Sequence, residues 1–211
     1  PPGVGKTLSA SVLAGLLPPL DAKMKEELWL LRDLAGLPPT SYPEFRAPHH
    51  SSSVAALIGG TARATPGEIS MAHGGVLFLD ELTEFPRVVL NQLRQPLESG
   101  EIGVSRAEHQ HRYPARFQLV AAMNPCPCGF SGSDDQHCRC TPDRIWRYRQ
   151  GVSGPLLDRI DLHVTLSKPA SSHLLSQRHN ENNSASVRER VARCRFKQQA
   201  RQGCLNRDLA G

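Results

Sequence analysis

Two short apolar runs set the pattern of the chain. Val76–Leu79 reads VLFL, an unbroken stretch of β-prone residues, and passes directly into Asp80 and Glu81. Residues 117–123 read FQLVAAM and pass into Asn124. Apolar runs of this kind suit strands buried on both faces of a parallel sheet. The flanking stretches carry helical spacing instead. Residues 8–17 predict a helix stopped by Pro18 and Pro19, and residues 22–35 a second, with Leu28, Leu31 and Ala35 on one face and Gly36 as its stop. Residues 44–60 predict a short strand and then a helix capped by one of the serines. Pro66 and Gly67 mark a turn, residues 68–73 lead into the central strand, and residues 82–98 predict the helix behind it.

Farther along, residues 101–113 combine turn-rich ends with polar alternation, which predicts an exposed β-hairpin inserted between helix and strand. Residues 154–166 predict a last strand just after Arg159 and Asp161. Residues 187–201 predict a basic helix with Val187, Val191 and Cys194 packed inward. Strands alternating with helices give an α/β architecture, a parallel sheet flanked by helices.

In such a sheet the carboxyl ends of the strands open onto the ligand crevice. Asp80 can there face a hydrated magnesium ion while Glu81 polarises a water. Taken alone, the pair fits equally well a solvated strand end running into the acidic first turn of a helix. The first seven residues, PPGVGKT, tip that balance. They form a phosphate-binding loop lacking only its opening glycine, which would precede residue 1. Gly3 and Gly5 would let backbone amides approach phosphate oxygens, with Pro2 and Val4 completing the nucleotide-binding loop; Lys6 would reach the terminal phosphates, and Thr7 would ligate magnesium. Asn124 can hydrogen-bond an attacking water or terminal phosphate, although before Pro125 it also suits a turn.

Composition narrows the class. With 39% hydrophobic and 21% charged residues the chain is globular, sized for one large domain or a domain plus a fragment. No apolar run approaches a membrane span, so the expectation is a cytoplasmic protein without membrane attachment. The net charge of +5 leans toward an anionic partner, a weak signal because nucleotide is itself anionic. Arg106, His109, His111, Arg112 and Arg116 make the hairpin and its exit basic, which suits either nucleic acid or an ordinary solvated ribbon. Adjacent His49 and His50 would point apart in a strand, so a loop facing a ligand or partner fits them better than a metal site.

Four of the six cysteines, Cys126, Cys128, Cys138 and Cys140, fall in one segment as C-x-C, nine residues, C-x-C. In a nucleotide-hydrolysing protein that clustering favours structural zinc over disulfides, with His137 able to replace one thiolate. The spacing departs from the commoner C-x-x-C, and free thiols in a surface loop are the alternative.

The order GVGKT, FLDE, MNP, LLDRID resembles AAA+ ATPases of the helix-2-insert branch. FRAPHHSSS, PGEISMAHGGVLFLDEL, LRQPLESGEI, YPARFQLVAAMNPCPCG and SGPLLDRIDL resemble the magnesium-chelatase-like ComM/YifB family. The resemblance covers most of the chain to about residue 168 and implies an AAA+ core over 1–168, with a linker and the start of a helical lid over 169–211. It implies ATP and Mg2+ as ligands, Lys6 and Thr7 as Walker A residues, Asp80 and Glu81 as Walker B residues, and Asn124 as the sensor of the terminal phosphate. Arg159 resembles an arginine finger that enters the neighbouring subunit's site in a homo-oligomeric ring, expected as a hexamer. The first strand, a Lon-protease-like domain and the rest of the lid are expected outside these residues. The activity implied is an ATP-driven DNA motor, similar to proteins that promote branch migration as incoming DNA is recombined. A magnesium-chelatase-type subunit, a polypeptide-handling ATPase and a nucleotide-binding module without turnover are the alternatives.

Overall fold

The computed structural model of this chain describes residues 4–60, 65–106, 109–132, 137–166 and 183–209. Three parallel strands, β1 (Phe45–Arg46), β2 (Val76–Leu79) and β5 (Gln118–Ala121), form a sheet in the order β1-β2-β5. β2 is buried at all four positions, as its unbroken apolar run requires. Its register with β5 runs from Val76 opposite Gln118 to Leu79 opposite Ala121, and Phe45 lies opposite Val76 on the other side. The strands are therefore in step, and their carboxyl ends emerge together. Gly75 makes the approach of β1 possible, because a Cβ there would stand 2.2 Å from the Glu44 carbonyl oxygen.

Helices cover the sheet. α1 (Lys6–Leu16) lays Ala10 on Phe78 and Ala122, where Phe78 stacks on Phe45 at 5.8 Å between ring centroids. α2 (Ala22–Leu34) is capped by Asp21, whose side chain accepts from the Met24 amide at 2.8 Å; it buries Leu28 and Leu31 and ends at Gly36 in the left-handed region. Burying side chains of this size contributes about 1.5–3 kcal/mol each. α3 (Val54–Ile58) is capped by Ser53, and α4 (Glu68–Met71) leads into β2. Arg46 of β1 makes two hydrogen bonds to the Glu68 carboxylate, at 2.8 and 2.9 Å, tying strand to helix. Buried His73 accepts from the Arg116 amide at Nδ1 (3.2 Å), which leaves Nε2 to face the Glu27 carboxylate at 3.0 Å.

Several sequence expectations change. The single helix over 82–98 is a 3₁₀ turn (Leu82–Glu84), then α5 (Arg87–Gln92) and α6 (Arg94–Ser99). Pro86 caps α5, and Pro96 has no amide proton for the carbonyl one turn earlier, so the ladder breaks between them. The hairpin forms from β3 (Glu101–Arg106) and β4 (His109–Pro114), inserted between α6 and the sheet strand β5 as expected, but one of its faces is not exposed. Ile102, Val104, Tyr113 and Ala115 are buried in the main core. The last strand is absent: residues 161–166 pair with no strand among the described residues, and Leu162 and Val164 are 83% and 79% exposed. A β-prone sequence without a ladder partner does not form a strand.

α7 (Pro142–Arg149) and α8 (Gly154–Leu157) follow the cysteine segment. α9 (Ser184–Gln202) lies against α1, where Arg188 donates to the Gly15 carbonyl at 2.9 Å. Val187 and Val191 are half-buried as expected, but Cys194 is exposed. No helix among the described residues is long and apolar enough to cross a membrane.

Candidate nucleotide site and cysteine cage

The in-step strands deliver their chemistry to one place. A cleft of about 510 Å³ is lined by Val4, Gly5, Lys6, Thr7, Leu8, Asp80, Glu81, Met123 and Asn124. Its size is that of small-molecule sites in general. Gly5 sits at φ 79°, ψ 22° at the head of α1 with no side-chain cap, so the first-turn amides stay open to an anion. Lys6 Nζ donates to Asn124 Oδ1 at 2.6 Å, and Thr7 Oγ1 donates to Asp80 Oδ2 at 2.7 Å. Pro2 and Gly3 lie outside the described residues.

Thr7 and Asp80 bring hard oxygen donors together, the set that suits a magnesium ion retaining most of its waters. Glu81 is the only non-glycine with positive φ among the described residues, at φ 52°, ψ 52°. Holding a side chain there costs about 1–3 kcal/mol. The surroundings enforce it: the Leu82 amide donates to the Ala122 carbonyl at 2.9 Å, and Leu82 is buried. The turn leaves the Glu81 carboxylate half exposed at the cleft.

His49 and His50 lie in a loop, as the sequence suggested, but the sequence did not show that His50 meets Glu81. The Nδ1 of His50 lies 3.4 Å from Glu81 Oε2, and its ring sits edge-on to Phe85. His49 does not point away as it would in a strand, since the two rings are 4.1 Å apart in a loop. The signal was available in strand order, because β1 pairs in parallel with β2 and its exit must lie beside Asp80 and Glu81.

Arg159 does not line the cleft. It donates from Nε to Glu98 on α6 at 2.9 Å, with a second, shorter contact from the guanidinium to the same oxygen. Both side chains are more than a third exposed, so the bridge is worth little in stability. On the hairpin, Arg112 is exposed and lies opposite Gly103 in the register, while exposed His111 stacks on Tyr113.

Beyond Asn124 the four clustered cysteines converge, their sulfurs all within 4.8 Å of one another. Cys126 is 3.4 Å from Cys128 and 3.7 Å from Cys138, and Cys128 is 3.6 Å from Cys138. Backbone N–H groups of Phe130 and Arg139 favour the Cys128 thiolate and bring its pKa down to about 6. At Cys138 the Cys140 N–H acts in the same direction, but desolvation and the neighbouring sulfurs prevail and push the thiol up to about 11. His137 is exposed and outside the group.

Comparison with known proteins agrees with this geometry. Residues 1–174 match the family described as magnesium chelatase, subunit ChlI. YifB of Salmonella typhimurium is 45% identical over 216 residues, covering 100% of this chain and 42% of that protein. Competence protein ComM of Haemophilus influenzae is 48% identical over 211 residues, covering 98% of this chain and 41% of ComM. The magnesium-chelatase 38 kDa subunit of Acidiphilium rubrum is 36% identical over 70 residues, 33% of this chain and 20% of that subunit. The chain spans about two-fifths of the length of its YifB and ComM relatives. It belongs to the magnesium-chelatase-like ComM/YifB family of AAA+ ATPases.

Proposed function

We propose that this chain is the ATP-hydrolysing core of a ring-shaped, cytoplasmic DNA motor. The observation that carries the reading is the meeting of Lys6, Thr7, Asp80, Glu81 and Asn124 at one cleft, from two strand ends and one helix start. The α1 amides and Lys6 hold the phosphates, while Thr7 and Asp80 hold Mg2+, which when bound neutralises charge on the phosphate oxygens. Glu81 accepts the proton of the attacking water. Asn124 exchanges its bond with Lys6 for one to that water or to the terminal phosphate. The AAA+ core occupies 1–168, and 169–211 begin a linker and lid whose helix α9 leans on α1.

Arg159 acts between subunits of a homo-oligomeric ring, a hexamer by the family resemblance. Its exposed bridge to Glu98 is cheap to give up, which leaves the guanidinium available to a neighbour's phosphate. Arg159→Ala is expected to lower turnover of the assembled ring by about 10³-fold or more with nucleotide affinity retained. Mixing it with Glu81→Gln subunits should restore part of the activity in shared sites. Confirmed coassembly without recovery would count against a site shared in trans.

DNA contact is assigned to the hairpin around Arg106 to Arg112, where Arg112 is exposed. ATPase stimulation by forked or single-stranded DNA tests the motor reading, and stimulation only by a chelatase partner would favour the subunit alternative. Arg112→Ala should cut DNA-stimulated turnover more than basal turnover and reduce the salt slope of DNA binding by about one. An unchanged variant would move the contact elsewhere.

A further inference from the structure

The ATPase reading makes no use of Cys126, Cys128, Cys138 and Cys140. We propose that they bind one structural zinc ion, and that the ion clasps the corner carrying Asn124 to the start of α7. Zinc–thiolate bonds of about 2.3 Å in a tetrahedron place sulfurs about 3.8 Å apart. The three separations involving Cys126, Cys128 and Cys138 are 3.4, 3.6 and 3.7 Å, and Cys140 completes a group within 4.8 Å. A disulfide would bring one pair to about 2.05 Å and leave the other sulfurs with no reason to gather. An iron–sulfur cluster would spread the thiolates over more than one metal atom and hold them wider apart.

The backbone is already arranged for sulfur charge. The Ser131 amide points at Cys126 Sγ at 3.3 Å, and Gly129, in the left-handed region, turns its own amide to the Cys126 carbonyl at 2.9 Å. That turn reverses the first arm, so Cys126 and Cys128 face the second. Four protein ligands leave no open position, so the ion is structural and takes no part in catalysis.

What the ion holds follows from the ends of the two arms. Cys126 is two residues beyond Asn124. Cys140 immediately precedes Thr141, whose hydroxyl caps α7 by accepting from the Arg144 amide at 3.3 Å. From the far end of α7, Arg149 Nε returns to the Pro125 carbonyl at 3.3 Å. The described residues between β5 and α7 form neither helix nor strand, and Cys126 is the only apolar side chain among them from 123 to 141 that is fully buried. Zinc therefore supplies the fixed link that packing does not. The metal assignment stands apart from the ATPase reading; its effect on Asn124 rests on that reading.

The test begins with the intact protein purified without chelator. Elemental analysis should find about one zinc per chain, and Co2+ replacement should give the intense visible bands of a tetrahedral tetrathiolate. A Cys126→Ser, Cys138→Ser variant should lose both. Should that variant not fold, stepwise modification of wild-type thiols with an organomercurial, read by a chromophoric zinc indicator, should release the ion. Metal-free protein with every cysteine titrating freely overturns the site, as does bound iron. Zinc release should also lower ATP turnover about tenfold or more, because misplacing an orienting group by about 1 Å has effects on that scale. Equilibrium nucleotide binding should change far less. Unchanged turnover after confirmed release overturns the clasp. Since zinc is counted without nucleotide, a zinc-loaded protein that never hydrolyses ATP counts against the ATPase assignment alone.

Discussion

The nucleotide cleft and the cysteine cage adjoin along the chain, Asn124 belonging to one and Cys126 to the other, yet they are held by opposite means. The cleft is assembled from afar. Lys6 meets Asn124 and Thr7 meets Asp80 because α1 rests on a sheet whose central strand is buried throughout. The cage is local, drawn from residues 126–140, and of its four ligands only Cys126 is fully buried. A site carried by a core inherits its rigidity and keeps its geometry empty. A site carried by a loop needs its ligand to have a geometry at all.

The largest expected effect separates the two by chemistry. Glu81→Gln keeps the shape of the cleft and removes the carboxylate that takes the water's proton, so turnover should fall by about 10²- to 10⁴-fold. ATP binding should persist, because Lys6, Thr7 and Asp80 are untouched, and zinc content should not move. Steady-state hydrolysis beside equilibrium nucleotide binding reads both quantities. Turnover near that of the wild type would remove Glu81 from its role.

The two regions also differ in how far the sequence reveals them. GKT, VLFLDE and the Asn124 corner were legible because each ties a residue pattern to a helix start or a strand end. The cage was legible in spacing alone, and the sulfur positions bear out the convergence that the two C-x-C arms suggested. Three things were not legible. The pairing of His50 with Glu81 was hidden because it follows from parallel strand order, which periodicity does not encode. Residues 162–166 were read as a strand on local propensity, and strand formation depends on a partner elsewhere. The helix over 82–98 failed at Pro86 and Pro96, where the breaker signal was present and the apolar spacing was given more weight.

A smaller effect probes the edge of the cleft. His50 stands 3.4 Å from Glu81 and does not line the nucleotide cavity, so it acts on the carboxylate rather than on ATP. His50→Ala should remove one exposed polar contact, about 0.2–1 kcal/mol, or up to roughly fivefold in kcat. KM for ATP should stay near its original value, and His50→Gln, which keeps a donor, should recover part of the loss. A rise in KM with kcat unchanged would mean that His50 serves binding instead of positioning Glu81.

The smallest effect gives the sharpest comparison, because two equivalent helix caps lie in the two regions. Ser53 caps α3 by accepting from the Ala56 amide at 3.1 Å, three residues beyond His50, and Thr141 caps α7 by accepting from the Arg144 amide at 3.3 Å, next to Cys140. Replacing either with alanine removes one acceptor and should cost about 1 kcal/mol in the zinc-loaded protein. Their behaviour should part when zinc is removed. α3 buries Leu57 in the main core, so the Ser53→Ala penalty should persist without metal. α7 buries no residue of its own, so once the cage opens its first turn has little to hold it in place and the Thr141→Ala penalty should shrink toward zero. Denaturant midpoints of both variants, with and without zinc, read the difference directly. Equal penalties at Thr141 in the two states would show that α7 is anchored by packing, and the contrast between a core-held cleft and a metal-held corner would fall.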